Sequence, residues 1–212
     1  MMMAACGGKG ETPASESVAA ENSDDAQESA LIALCLHQTT TDPIEILEAM
    51  MSEDFVPMHG PIHHILSGMA LLTAYSNAGG DVALESALKE MISRGRQVPG
   101  GACGRWGACG ASLSCGMFMS IVTDNTPFAT EAWHLSNLCT AQALEAVANH
   151  GGPRCCKRDS YLSVLSTVDF VNEHLGVKLK KAEVDCSRSC FNEQCLGEEC
   201  PFFASEQGKS AQ

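Results

Sequence analysis

The chain has 212 residues, 45% of them apolar but only 5% aromatic, so it can bury a core built from small and flexible side chains rather than rings. Its formal net charge is −13, from 26 acids against 13 bases, which argues against nucleic acid or an anionic membrane as a partner, because both need clustered Lys and Arg. No apolar run reaches the ~18–20 residues of a membrane helix, and small and polar residues follow Met1 too soon for a signal peptide, so the expected location is the cytoplasm.

Residues 1–28 are polar and acidic without periodicity and read as a disordered leader. A single helical domain is expected over 29–204, with a polar, disordered end at 205–212. Residues 29–37 can form a short helix. Asp42 and Pro43 then open a second in the favoured way, an acid at the cap and Pro in the first turn, through Met51. Gly60-Pro61 starts a third, to about Asn77, with Ile62, Ile65, Leu66, Met69 and Leu72 at helical spacing beside a flank of small residues. Asp81 is the expected cap of a fourth, to about Arg94, with Val82, Leu84, Leu88 and Met91 as its apolar side.

A Gly-rich loop bearing cysteines spans Pro99–Gly110 and leads into an apolar helix over 111–122. A long helix over 129–149 is broken by Gly151-Gly152-Pro153. Tyr161, Val164, Leu165, Val168, Val171 and Leu175 mark the next amphipathic helix. Val177 to Val184 alternates apolar and charged residues, the pattern of a short strand. The predicted fold is all-α, mainly a helical bundle, with a Gly-rich cysteine loop, one short strand and a cysteine-rich C-terminal tail that binds metal.

Twelve cysteines without an export signal point to metal ligands or reactive thiols rather than a disulfide framework. The strongest pattern is Cys186-x-x-x-Cys190-x-x-x-x-Cys195-x-x-x-x-Cys200-Pro201. Local thiolate sets of this kind, with Pro after the last ligand, hold iron–sulfur clusters. Zinc is the rival, but zinc ribbons place paired ligands on tight Cys-x-x-Cys knuckles, and none occurs here. The looser gaps favour a 4Fe–4S cluster over zinc.

In Gly151-Gly152-Pro153-Arg154-Cys155-Cys156-Lys157-Arg158-Asp159, three of the 13 bases fall within five residues, around two adjacent cysteines. Nearby cations and a helix N-terminus both favour a thiolate, so Cys155 and Cys156 are candidate nucleophiles, with Arg154, Lys157 and Arg158 to bind an anion. The bland alternative is a helix start with solvated bases. Cys103 and Cys109 stand in the Gly-rich loop, where the main chain can approach a ligand, and are placed with the substrate. Lys and Ser/Thr are missing from the positions a phosphate-binding loop needs. Cys115 is expected to be structural, and Cys6, Cys35 and Cys139 bystanders. Together, Cys103, Cys109, Cys155 and Cys156 can also form a second four-thiolate set. His59, His63 and His64 cluster around Gly60-Pro61, His63 and His64 as candidate proton carriers and His59 at the substrate.

Four motifs carry a resemblance: His59-Gly60-Pro61-x-His63-His64, the Pro99–Gly110 loop, Gly152-Pro153-Arg154-Cys155-Cys156-Lys157-Arg158 and Cys200-Pro201. Over about 40–204 the chain resembles a cysteine-rich family of anaerobic bacteria and methanogenic archaea, a domain of unknown function sometimes attached to methyltransferase-like or radical-enzyme domains. The resemblance implies an anaerobic setting, which suits an oxygen-sensitive cluster, and supplies no reaction. A weaker similarity, without aligned motifs, is to cluster-dependent serine dehydratases and cysteine desulfidases. The expected function is therefore a cytoplasmic 4Fe–4S enzyme acting on a small anionic substrate by sulfur-transfer or C–S bond chemistry. The alternative is a non-catalytic module, stapled by zinc or a cluster, that docks on or passes electrons to a redox or methyltransferase-type partner enzyme.

Overall fold

The computed structural model describes residues 13–204, with side chains from Asp24 onward. Cys6 and the polar end at 205–212 lie outside the described residues. Eight helices follow in order: α1 Pro13–His37, α2 Pro43–Met51, α3 His63–Asn77, α4 Leu84–Gly95, α5 Ala102–Arg105, α6 Gly110–Val122, α7 Glu131–Ala148 and α8 Cys156–His174. Two single 3₁₀ turns, Ser189–Phe191 and Gly197–Glu199, punctuate the tail. The mainly helical expectation holds, and no described helix is long and apolar enough to cross a membrane.

Helix α3 is the hub. Every residue from Ile65 to Tyr75 is buried, and α2, α4, α6 and α8 all pack on it. Small residues let these helices approach closely, as the composition implied. A Cβ on Gly68 of α3 would lie 2.3 Å from Cε of Met91 on α4 and 2.8 Å from Oγ of Ser114 on α6. In the glycine's place, the Gly68 N–H donates to that hydroxyl at 2.8 Å. One continuous core runs from Leu31 to Phe202, so α1 and the tail are both tied to the same body.

Three local expectations change, at α1, α4 and Val177–Val184. Residues 13–28 belong to α1 rather than to a disordered leader: its Ala, Glu and Ser suit a helix without amphipathic patterning, and Asp25 and Glu28 both reach Arg96 at 2.8 and 2.7 Å. Helix α4 begins at Leu84 instead of behind Asp81. Helix α8 begins at Cys156, at the helix start read around the two cysteines. The alternating stretch Val177–Val184 is irregular, and among the described residues there is no strand, only a single bridge between Cys186 and Phe203. Its backbone is held piecemeal, Leu179 by the Asn172 side chain and Lys180 by the Thr41 carbonyl. Asp42 caps α2 as read, its Oδ1 accepting from the Ile44 N–H at 3.0 Å.

Candidate thiol site at the start of helix 8

All four motifs meet at the N-terminus of α8. His59 stands between two of them. Its Nδ1 accepts from the Cys156 N–H at 3.4 Å, and its Nε2 donates to Oδ1 of Asn192 in the tail at 3.2 Å. The same Asn192 donates from Nδ2 to Sγ of Cys155 at 3.5 Å. His64 lies against the other cysteine segment. A Cβ on Gly110, the first residue of α6, would fall 2.0 Å from Cδ2 of its ring, so only glycine admits the ring there. Thus the histidine motif, the Gly-rich loop, the Cys155-Cys156 pair and the tail form one neighbourhood.

Adjacent in sequence, Cys155 and Cys156 differ in their surroundings. Cys155 caps α8 and lines a cleft whose other thiols are Cys186, Cys195 and Cys200 of the tail. Arg188 and Lys157 line the same cleft. Its walls stand close, leaving clear room for little more than a water, so a larger guest has to part them. Cys190 is exposed on the Ser189–Phe191 turn and is absent from these walls. Cys156 instead has its sulfur 3.8 Å from Nη1 of Arg154. Arg154 lines a second, open pocket of about 850 Å³, counting space continuous with solvent, together with Cys103, Cys109, Gly151, Gly152 and Asp159.

The cations do not do what the sequence led us to expect. Burial pushes the thiols of Cys155 and Cys156 up, outweighing amide hydrogen bonds and the nearby guanidinium groups, and the Asp159 carboxylate adds to the rise. Cys109 is pushed up to about 11 by burial, again with help from Asp159. Neither Cys155 nor Cys156 is therefore a preformed thiolate. Arg158 is engaged elsewhere: buried, it contacts Oδ1 of Asp159 at 3.3 Å and donates to the Gly151 and Pro153 carbonyls at 2.9 Å each. Arg154 is exposed.

Lys157 is the most unusual side chain of the site. It is 2% exposed, faces the thiol-walled cleft, and its Nζ has no hydrogen-bond partner. Burial, and then the charge of Arg188, lower its ammonium to about 8. Arg188, by contrast, is well anchored, contacting Oε2 of Glu48 at 2.6 Å, Tyr161 Oη at 3.1 Å and Ser52 Oγ at 3.0 Å. Tyr161 also hydrogen-bonds Glu48 and packs edge-on against Phe202, ring centroids 5.3 Å apart. These contacts clamp the tail to α2 and α8.

The two remaining histidines are bound to backbone. His63 donates from Nε2 to the Pro57 carbonyl at 3.0 Å, its Nδ1 has no partner, and burial, then the neighbouring Lys157, lowers it to about 3. His64 donates from Nδ1 to the Val98 carbonyl at 3.1 Å, and burial lowers it too. Cys35, Cys115 and Cys139 lie in the core, as expected of structural or incidental thiols, and Cys103 is exposed. All cysteines of the described residues are free. Among those residues, no three His, Cys, Asp or Glu side chains are drawn in around a single metal ion. The sequence reading missed Asn192, Arg188, Glu48 and Tyr161. Of these only Arg188 carried a signal, a lone base between two tail cysteines.

The molecule is thus a cysteine-rich helical protein with a thiol-walled cleft beside a more open pocket, where Arg154 stands with the carboxylates of Glu145 and Asp159. The chain belongs to the family of unknown function DUF5714, whose model matches residues 31–203. No curated protein and no solved structure matches the chain.

Proposed function

We propose that the protein holds a 4Fe–4S centre in the tail cleft and uses a neighbouring cysteine for sulfur-transfer or C–S bond chemistry on a small anionic substrate, in the reducing cytoplasm of an anaerobe. The observation that carries this reading is Lys157. A buried ammonium with no partner is costly, and here it faces a cleft walled by thiols. Deprotonated, metal-bound thiolates supply the missing negative charge. Two of the cleft sulfurs already accept N–H groups: Cys155 from the Asn192 side-chain amide at 3.5 Å and Cys195 from the Gly197 N–H at 3.4 Å. Such donors favour the thiolate that a metal requires.

The cluster, once bound, supplies electrons or a Lewis-acid iron. This chain's own residues do the rest. Arg154, exposed at the mouth of the open pocket, takes the substrate's anionic group. Cys156, beside it, is the nucleophile. Asp159, whose carboxyl is itself raised by burial, is placed to receive the thiol proton, and His59 orients the Cys156 amide. The pocket's lining by Cys103 and Cys109 gives it a soft, sulfur-rich wall.

The test is anaerobic purification with iron, sulfide and zinc quantified and the visible spectrum recorded. The purified protein is then incubated with small thiol-bearing carboxylates, with sulfide and protein-bound sulfane sulfur measured. A brown protein with matched iron and sulfide, whose sulfur release is abolished by Cys156→Ser without loss of metal, supports the reading. A colourless protein with stoichiometric zinc rejects the cluster. Unchanged sulfur release in Cys156→Ser rejects the nucleophile.

A further inference from the structure

We infer that the fourth ligand of the tail centre is Cys155 rather than Cys190, and that Lys157 is the built-in counter-charge of the centre, leaving Cys190 a free thiol on the outer rim. This assignment rests on the cluster reading above and makes it specific.

The local spacing of the tail groups Cys186, Cys190, Cys195 and Cys200, but the fold regroups them. Cys186, Cys195 and Cys200 share the cleft with Cys155, and Cys190 does not. Cys190 sits in the Ser189–Phe191 turn with Phe191, which is 76% exposed. Turning Cys190 inward would displace Asn192, which lies two residues on and holds both Cys155 and His59. Cys155 needs no such movement. It is the N-cap residue of the 19-residue α8, where the helix terminus favours negative charge, and its sulfur already accepts from the Asn192 amide at 3.5 Å.

The four positions also divide by rigidity. Cys155 stands on a packed helix. The other three stand on a tail whose backbone bonds are short turns, apart from the Cys186 N–H to Phe202 carbonyl bond at 2.7 Å. Between the anchors at Arg188 and Phe202, the close-walled cleft can therefore open on the tail side while Cys155 stays fixed. Ligation replaces four S–H bonds by four S–Fe bonds, the four protons pass to solvent and no electron moves. A four-thiolate cubane carries net negative charge, and the unpaired Lys157 Nζ is the buried cation positioned to offset it.

The full chain is reconstituted anaerobically with iron and sulfide, desalted, and assayed for both elements and by EPR before and after dithionite reduction. Cys190→Ala should keep the wild-type iron and sulfide content. Cys155→Ala should lose at least half the iron or show a three-iron EPR signal when oxidised. Lys157→Met should load fully but with its reduction potential shifted to more negative values. Should Cys155→Ala fail to fold, alkylation of the loaded wild-type protein gives the same answer: Cys190 labelled, with Cys155, Cys186, Cys195 and Cys200 protected. Loss of metal from Cys190→Ala, or full loading of Cys155→Ala, overturns the ligand assignment while leaving a cluster in place. A wild-type chain that takes up no iron and sulfide overturns the cluster reading itself.

Discussion

Asn192, on the tail, donates to the sulfur of Cys155 at 3.5 Å across thirty-seven positions of chain. Together with the bond from His59 to its Oδ1, this contact joins the tail to the start of α8 and to the histidine motif. Asn192→Ala removes both, and a hydrogen bond is worth about 0.5–1.5 kcal/mol net. The expected outcome is a small drop in global stability with a larger increase in proteolytic cleavage within 186–203. Equal resistance of that segment in variant and wild type would show that Arg188 and Phe202 hold the tail unaided.

Replacing Lys157 by Met should stabilise the metal-free protein. An unsatisfied buried polar group costs about 1–3 kcal/mol, and a charged one more, whereas the Lys157 stem already packs as an apolar chain. Denaturant unfolding with chelator present should show the gain as a higher midpoint at unchanged slope. A lower midpoint would mean that Nζ has a partner.

His63 should make the protein acid-sensitive. Its folded value is lowered to about 3, whereas the unfolded chain titrates near ~6.5. The unfolded state therefore binds the extra proton, so the contribution is complete above pH ~6.5 and is lost progressively as pH falls towards about 3. His63→Gln should flatten the stability profile across that window, read from unfolding free energies at a series of pH values. A profile of unchanged slope removes His63 as the cause.

Gly110→Ala tests the seat of His64. The added Cβ meets the ring at 2.0 Å, so the ring must leave, giving up its bond to Val98. The cost should be about 1–3 kcal/mol, as for other overpacked sites. By NMR, the His64 titration should move up towards the free-histidine range as its burial is relieved.

Thiol reactivity should follow burial rather than the position of the basic residues. Cys109, pushed up to about 11 from about 9, carries roughly 100-fold less thiolate at neutral pH than an unperturbed cysteine. Iodoacetamide labelling of the metal-free chain, followed by mass spectrometry, should mark exposed Cys103 and Cys190 first and Cys35, Cys115 and Cys139 last. Early labelling of Cys109 would contradict its burial.

The helices were largely readable, because their signals are local. Asp42 and Pro43 announce α2, and the spacing of Ile65, Leu66, Met69 and Leu72 marks the buried length of α3. Where tertiary packing decides, the reading failed. Cys156 to Ser160 are all wholly or partly buried in α8 although the segment is polar, because Arg158 and Asp159 pair with each other inside the body. The Val177–Val184 alternation found no partner strand, since the chain supplies no second strand to pair with it among the described residues. The motifs that share a site were visible as motifs. Which thiol faces which chamber was not, for spacing gives the separation of cysteines along the chain and not the direction of a sulfur. The reversal at Cys155 and Cys156 has the same origin, because sequence shows neighbouring charges but not the burial that outweighs them.

Arg154, on the open pocket, and Cys155, on the narrow cleft, are consecutive, so their Cα atoms are only ~3.8 Å apart. The narrow chamber and the open one thus share a party wall a single peptide unit thick. Negative charge arriving on the tail side would be felt in the open pocket through that wall, where water screens it poorly. Loading the first chamber would therefore retune Asp159 in the second, and Cys156 beside Arg154, by field alone, with no moving part between them.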